Sequence, residues 1–158
     1  MNYIDRNGKS FRPEEADIVR PRHGAFCIFV CDRKVLVNLE DHAPENPSLP
    51  GGGVDEGETE IEAAKREFLE ETGIKCPDLA PDKDFSQDIY LYADDVNEYW
   101  NYHQIYFLFP ITPEHDLYFQ GQKPNPCGMF SFWEDLDKVR DSKIHHIHKH
   151  AIIKMLGL

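Results

Sequence analysis

A chain of 158 residues, 41% of them hydrophobic, is sized for one domain, here 1–158, with a single ordinary core. Its 29 acidic against 17 basic side chains give a formal charge of −12, which argues against stable nucleic-acid binding, because phosphate contacts depend on Lys and Arg. The sequence carries neither a secretory leader nor an apolar span of roughly 18 residues, so the expected setting is cytoplasmic, with no membrane partner. None of the cysteines Cys27, Cys31, Cys76 and Cys127 forms a CxxC pair. Cys27 and Cys31 sit in an apolar run and read as buried thiols of a reducing compartment.

In chain order, residues 1–22 are polar and irregular, with a short edge strand near 17–20. Residues 25–31 (AFCIFVC) predict the first strong strand. Asp32-Arg33 predicts a tight turn, and residues 34–39 (KVLVNL) a strand pairing back as a hairpin. Residues 40–48, with Pro44 and Pro47, predict a loop leading to Pro50-Gly51-Gly52-Gly53, a glycine-rich loop. An acidic helix follows. Residues 75–83 read as a connection, 89–93 as a strand, 94–98 as an acidic turn and 99–111 as a long aromatic strand. After a loop over 112–126 come a strand at 127–133, a helical turn at 133–136 and an amphipathic helix at 144–156, with Ile144, Ile147, Ala151, Ile152, Met155 and Leu156 on one side.

The densest chemistry lies in residues 52–74, GGVDEGETEIEAAKREFLEETGI. Thr59 with Glu62 reads as a capping box at the helix start, and Gly73 as its C-terminal stop. At about 100° per residue, Glu67, Glu70 and Glu71 fall inside an arc of about 100°. Ala63 keeps that side uncrowded one turn earlier, while Ile61, Ala64 and Phe68 form an adjacent face for packing on a sheet. Carboxylates so crowded repel one another unless a cation neutralises them. Hard cations such as Mg²⁺ prefer oxygen ligands and bind through carboxylates plus substrate phosphates. An acidic helix behind a glycine loop therefore points to a divalent metal and phosphate chemistry. A merely solvated acidic face explains neither the loop nor Arg66 beside Glu67.

The segment resembles the signature of the Nudix hydrolases, whose fixed positions are filled here by Gly52, Glu58, Arg66, Glu67, Phe68, Glu70, Glu71, Gly73 and Ile74. Phe68 is an aromatic where an aliphatic residue is commoner. The resemblance implies an α/β/α sandwich with a mixed central sheet. It also implies hydrolysis of a diphosphate linkage in a nucleoside diphosphate derivative, either a nucleoside triphosphate or a dinucleoside polyphosphate, with Mg²⁺ or Mn²⁺ as cofactor. By matching position, Gly51 (through its carbonyl), Glu67, Glu70 and Glu71 would be metal ligands. Glu58, Arg66, Glu67, Glu70 and Glu71 would form the catalytic set, with Arg66 and Glu58 holding the other carboxylates. Gly52 and Gly53 would bind substrate. In so acidic a chain the metal must supply the local positive charge. One glutamate left partly outside the metal's coordination would accept the water's proton; which one stays open.

Alternative readings are a non-catalytic nucleotide-sensing module, which would be expected to have lost signature carboxylates, and an ADP-ribose-type pyrophosphatase, for which Pro81 comes too early. Tyr90 is a weak marker of the diadenosine-polyphosphate hydrolases and the aromatic substrate-binding candidate. The partner implied is a small nucleotide; a homodimer stays open. Glu114, Asp116, Asp95 and Glu98 are candidates for a fourth acid from a later loop. His146 and His150, one helical turn apart, have zinc-ligand spacing, but the run His145, His146, His148, His150 reads better as solvated histidine. Residues 117–121 (LYFQG) resemble part of a protease-cleavage linker by chance.

Overall fold

The computed structural model describes residues 1–41, 43–115 and 130–158. The elements are β1 (Tyr3–Ile4), β2 (Ser10–Phe11), β3 (Val19–Cys31), β4 (Lys34–Glu40), β5 (Ala43–Ser48), β6 (Gly51–Gly53), α1 (Glu60–Thr72), β7 (Lys83–Ala93), β8 (Glu98–Pro110), a 3₁₀ turn (Pro113–His115), β9 (Phe130–Asp135), α2 (Leu136–Val139) and α3 (His146–Leu156). The strands form one nine-stranded mixed sheet in the order β2-β1-β7-β8-β3-β4-β5, with β6 joined to β3 and β9 to β4. Among the described residues no helix is long and apolar enough to cross a membrane.

β3 and β8 are parallel from Val19↔Tyr99 to Val30↔Pro110. A parallel pair needs a long crossover, and here it carries α1 and β7. Because side chains alternate along a strand, this pair presents two faces. Ala25, Cys27, Phe29, Ile105, Phe107 and Phe109 pack with Ala63, Ala64 and Phe68 of α1. Phe26, Ile28, Tyr102, Tyr106 and Leu108 pack with Val139, Ile147, Ala151, Ile152 and Met155 on the other side. Helices on both faces of a mixed sheet make the expected α/β/α sandwich.

The Asp32-Arg33 turn is as expected: both residues have positive φ, 50° and 58°, the conformation whose twist matches a two-residue hairpin between β3 and β4. Several other expectations are corrected. The irregular N-terminal stretch gives two short strands and the first residues of β3, which begins at Val19 because β8 offers it a parallel neighbour. β6 joins its other flank only from Gly24 onward, so Pro21 sits where a strand tolerates proline. The expected loop at 40–48 contains β5, an edge strand in which Pro44 and Pro47 are admissible. The glycine loop is partly strand, with Gly51 opposite Phe26 and Gly53 opposite Gly24. β7 starts at Lys83, and Trp133 to Asp135 belong to β9 rather than to a helical turn. The expected strand residues 127–129, the 117–121 segment, Asp116 and Cys127 lie outside the described residues.

Candidate active site

α1 forms as its sequence dictates. Thr59 accepts the Glu62 N–H, Glu62 accepts the Thr59 N–H, and Gly73 closes the helix in the left-handed region at φ 73°. The apolar side of the helix seals against the sheet, leaving its carboxylates beside β6.

Arg66 organises one end of the acid cluster. Its Nε and Nη2 donate to the two oxygens of Glu58 at 3.0 and 2.6 Å, a bidentate pair. Nη1 donates to Glu67 at 2.9 Å and to Glu70 at 3.3 Å, and Nη2 also reaches the Gly53 carbonyl at 2.9 Å. These bonds to Arg66 hold the Glu58 carboxyl down at about 2. The same partners push the guanidinium's own value further up.

The other end is buried. Glu71 is 6% exposed; it accepts from Asn38 Nδ2 at 2.7 Å and from the Gly51 N–H at 3.3 Å. Asn38 is itself set by Ser131, whose hydroxyl donates to it at 2.7 Å. Burial first, then the charge of Glu40 on β4, pushes Glu71 up to about 9. Burial also raises Glu67, partly offset by its bond to Arg66. A divalent cation among these oxygens would reverse both shifts. The all-oxygen donor set is the one that Mg²⁺ and Mn²⁺ select, so the residues present fit such an ion.

β6 is the wall between this cluster and a cavity of about 280 Å³. Gly51 has φ +148°, and a Cβ there would strike the Ala25 carbonyl oxygen, so the strand passes at a distance only glycine permits. A Cβ on Gly52 would lie 2.7 Å from the Glu67 carboxyl carbon. On the far side, Gly51, Gly52 and Gly53 line the cavity together with Arg22, Glu40, Trp100, Tyr102 and Gln104. The Arg22 guanidinium lies 4.7 Å from the centre of the Trp100 ring. An aromatic plane, a cation and a glutamine are suited to stack and hydrogen-bond a nucleobase.

The structure thus brings Glu58, Arg66, Glu67, Glu70, Glu71 and Gly51–Gly53 together. It leaves Tyr90 elsewhere: 39% exposed, its ring is 5.4 Å from that of Tyr3, and it does not line the cavity. Its neighbours further along β7, Leu91, Tyr92 and Ala93, line the cavity instead. Asp95 lines the cavity and is 3.5 Å from Arg6; Glu98 accepts from Arg20 and the Trp100 indole; Glu114 is exposed in the 3₁₀ turn. The solvated reading of the histidine run is corrected for His148. It is buried and accepts the Leu49 N–H at 2.9 Å on Nδ1, and burial holds it well below the ordinary histidine range. His145 is pushed down to about 4 by burial, then by Arg6. Sequence reasoning missed Asn38 and Glu40, which lie far from the motif in the chain. The one available signal was an asparagine and a glutamate ending an otherwise apolar strand.

This geometry fits what comparison with known proteins finds. A family model of the NUDIX domain matches residues 21–155. The chain belongs to the NUDIX domain family. A relative named RNA pyrophosphohydrolase from Rhizobium meliloti is 41% identical over 76 residues, covering 46% of this chain and 44% of that protein. Another of that name, from Bartonella henselae, is 38% identical over 121 residues, covering 69% and 67%. The crystal structure of a MutT protein from Bacillus halodurans superposes with a TM-score of 0.57 at 24% identity, covering 85% of this chain and 82% of that one. The Nudix fold is therefore shared, although the chain spans under half the length of the Rhizobium relative.

Proposed function

We propose that this Nudix chain is a metal-dependent pyrophosphohydrolase that cleaves a diphosphate linkage in a small nucleotide derivative, with Mg²⁺ or Mn²⁺ as cofactor. One observation carries the reading: a three-glycine strand separates an acid cluster, buried at its Glu71 end, from a base-sized cavity, so a ligand seated in the cavity would place its phosphates at the acids. Gly51 (carbonyl), Glu67, Glu70 and Glu71 would hold the cation. When bound, it would neutralise charge developing on the phosphate oxygens and lower the pKa of a water.

The chain's own residues do the rest. Arg66, clamped by Glu58, fixes Glu67 and Glu70. Asn38 and the Gly51 N–H fix Glu71. The backbone of Gly52 and Gly53 lets phosphate approach closely, and Trp100 with Arg22 and Tyr102 receives the base. A glutamate of the set accepts a proton from water as its oxygen bonds to phosphorus and the bridging P–O bond breaks, releasing the second phosphate-bearing product. Residues 1–158 act as one domain in this reading, supported by the pairing of β1 with β7 and by Arg6 in the cavity wall. The buried free thiols Cys27, Cys31 and Cys76 suit a cytoplasmic setting.

A second substrate reading, a pyrophosphate linkage carried by RNA, is supported by the name of the Rhizobium and Bartonella relatives. The formal charge of −12 weighs against an extended polynucleotide contact. The test is a panel of nucleoside triphosphates, dinucleoside polyphosphates, ADP-ribose and a short 5′-triphosphorylated RNA, each with Mg²⁺, Mn²⁺ or EDTA, with products resolved by chromatography. Metal-dependent cleavage at a phosphoanhydride is expected for at least one. Tight nucleotide binding with no cleavage across the panel would favour the sensing module instead.

A further inference from the structure

On the α1 face of the sheet, the apolar side chains of β3 and β8 give way at one end to histidine. Ala25, Cys27 and Phe29 are preceded on the same side of β3 by His23, and Ile105 and Phe107 on β8 by His103. The parallel register sets the two histidines directly opposite each other. Their rings are 5.2 Å apart. Glu60, the first residue of α1, reaches over them: its Oε2 is 2.7 Å from His23 Nε2 and 3.9 Å from His103 Nε2. All three donor atoms lie within 4.8 Å of one another. On the next strand Asp88, in register with His103, lies 2.7 Å from His103 Nδ1. A carboxylate can only accept here, so Nδ1 carries the proton and the lone pair of Nε2 is directed into the cluster.

We propose that His23, Glu60 and His103 bind a transition-metal dication, Zn²⁺ above others, at a site separate from the Glu67–Glu70–Glu71 oxygens. Two imidazoles and one carboxylate are a borderline-soft set that suits zinc and disfavours Mg²⁺. Tetrahedral bonds of about 2.0–2.1 Å place ligand atoms about 3.3 Å apart, and the observed separations bracket that value, so small side-chain rotations close the site. A hydrogen bond between His23 and Glu60 would account for one histidine. It leaves unexplained why His103 addresses the same oxygen while a carboxylate orients it from behind. The three side chains are 34–44% exposed, which leaves an entry path and room for a water as fourth ligand. Glu60 precedes Glu67 by two helical turns, about 10 Å along the axis, so an ion here ties the start of α1 to β3 and β8.

The test uses the full chain stripped with a chelator and then held in excess Mg²⁺ to occupy the all-oxygen set. Zn²⁺ is titrated in competition with a chromophoric chelator, and Co²⁺ is followed by visible absorption. One equivalent is expected to bind, with Co²⁺ bands of four-coordinate type and with the ring resonances of His23 and His103 shifting in the unmodified chain. Affinity should fall at least about 100-fold in His23→Ala and His103→Ala, about 10-fold in Asp88→Asn, and stay unchanged in Glu70→Gln. Zn²⁺ should raise the Tm of the wild type and not that of the double histidine variant. Absence of saturable binding, shifts at His146 and His150 instead, or loss of the equivalent in Glu70→Gln would each overturn the assignment.

Discussion

Glu58 and Glu71 belong to one motif and carry the same group, yet their surroundings drive them in opposite directions. Two bonds from Arg66 hold Glu58 at about 2, whereas burial beside Glu40 pushes Glu71 to about 9. At one end of the cluster, then, the chain supplies its own cation. At the other it concentrates carboxyls in a poorly solvated place that is stable as a set of anions only with an external cation. That second end adjoins Gly51 and the cavity, where a phosphate would arrive. In the proposed mechanism the difference separates two roles within one motif: Glu58 and Arg66 would position, while Glu67, Glu70 and Glu71 would hold the cation.

The sharpest way to break this division is to neutralise the binding end. Glu70→Gln or Glu71→Gln should reduce turnover by about 10³-fold, about 4 kcal/mol, with circular dichroism and Tm in EDTA close to wild type. Wild-type turnover of a confirmed substrate with Mg²⁺ would dissolve the distinction.

A smaller effect is expected on stability. The folded value of Glu71, about 9, lies above its unfolded value of 4.5, so between them the folded chain holds the extra proton. Stability without metal therefore falls as pH rises through this window, opposite in sign to a salt-bridged carboxylate such as Glu58. Buried His148, its value lowered, contributes stability that is complete above the ordinary histidine range. Burial also raises the thiols of Cys27, Cys31 and Cys76, whose contribution is lost as pH approaches their ordinary value of 9.0, so melting curves in EDTA from pH 7 to 8 are the window in which Glu71 dominates. A loss of order 1 kcal/mol, a few degrees in Tm, is expected, and Glu71→Gln should remove most of it. Glu58→Gln comes next, with a decrease in kcat of about 10- to 100-fold, about 1.4–2.7 kcal/mol, since Arg66 would keep its other partners. An equal loss in Glu58→Gln and Glu71→Gln would mean that the two ends act as one unit.

What could be read from the chain was what is local. The capping box, the Gly73 stop and the three-carboxylate arc depend only on helical periodicity, and all appear in α1. The Asp32-Arg33 hairpin depends only on turn conformation. What could not be read depends on pairing between distant segments. β5 is hidden by two prolines that an edge position excuses. Asn38 and Glu40 meet Glu71 only because β4 and β6 flank β3. His23 and His103 meet only through the parallel register of strands joined by a long crossover. His148 reads as solvated in a run of histidines, and its burial follows from which helix face docks against Phe26, whose ring centre lies 4.6 Å away.

The smallest change that should still discriminate is a single methyl group on β6. A Cβ on Gly52 meets the Glu67 carboxylate, the far end of a flexible side chain, so Gly52→Ala can be accommodated by moving that group, and Tm should shift by no more than a degree or two. The displaced carboxylate would lose its 2.9 Å bond from Arg66 and its place in the donor set. Turnover should fall about 10-fold, equivalent to about 1.4 kcal/mol, with a raised requirement for Mg²⁺. Gly53→Ala is the control: its Cβ would meet nothing within 4 Å, although the residue lines the same cavity. It should keep the wild-type Mg²⁺ requirement and a kcat within about twofold, with any loss from crowding of the arriving phosphate appearing in KM. If Gly53→Ala lost as much as Gly52→Ala, the glycines would be serving substrate access along the whole strand rather than the placement of Glu67. The Mg²⁺ dependence of kcat in the two variants, measured side by side, separates these cases, because crowding of the substrate raises KM while misplacement of Glu67 shifts the metal requirement.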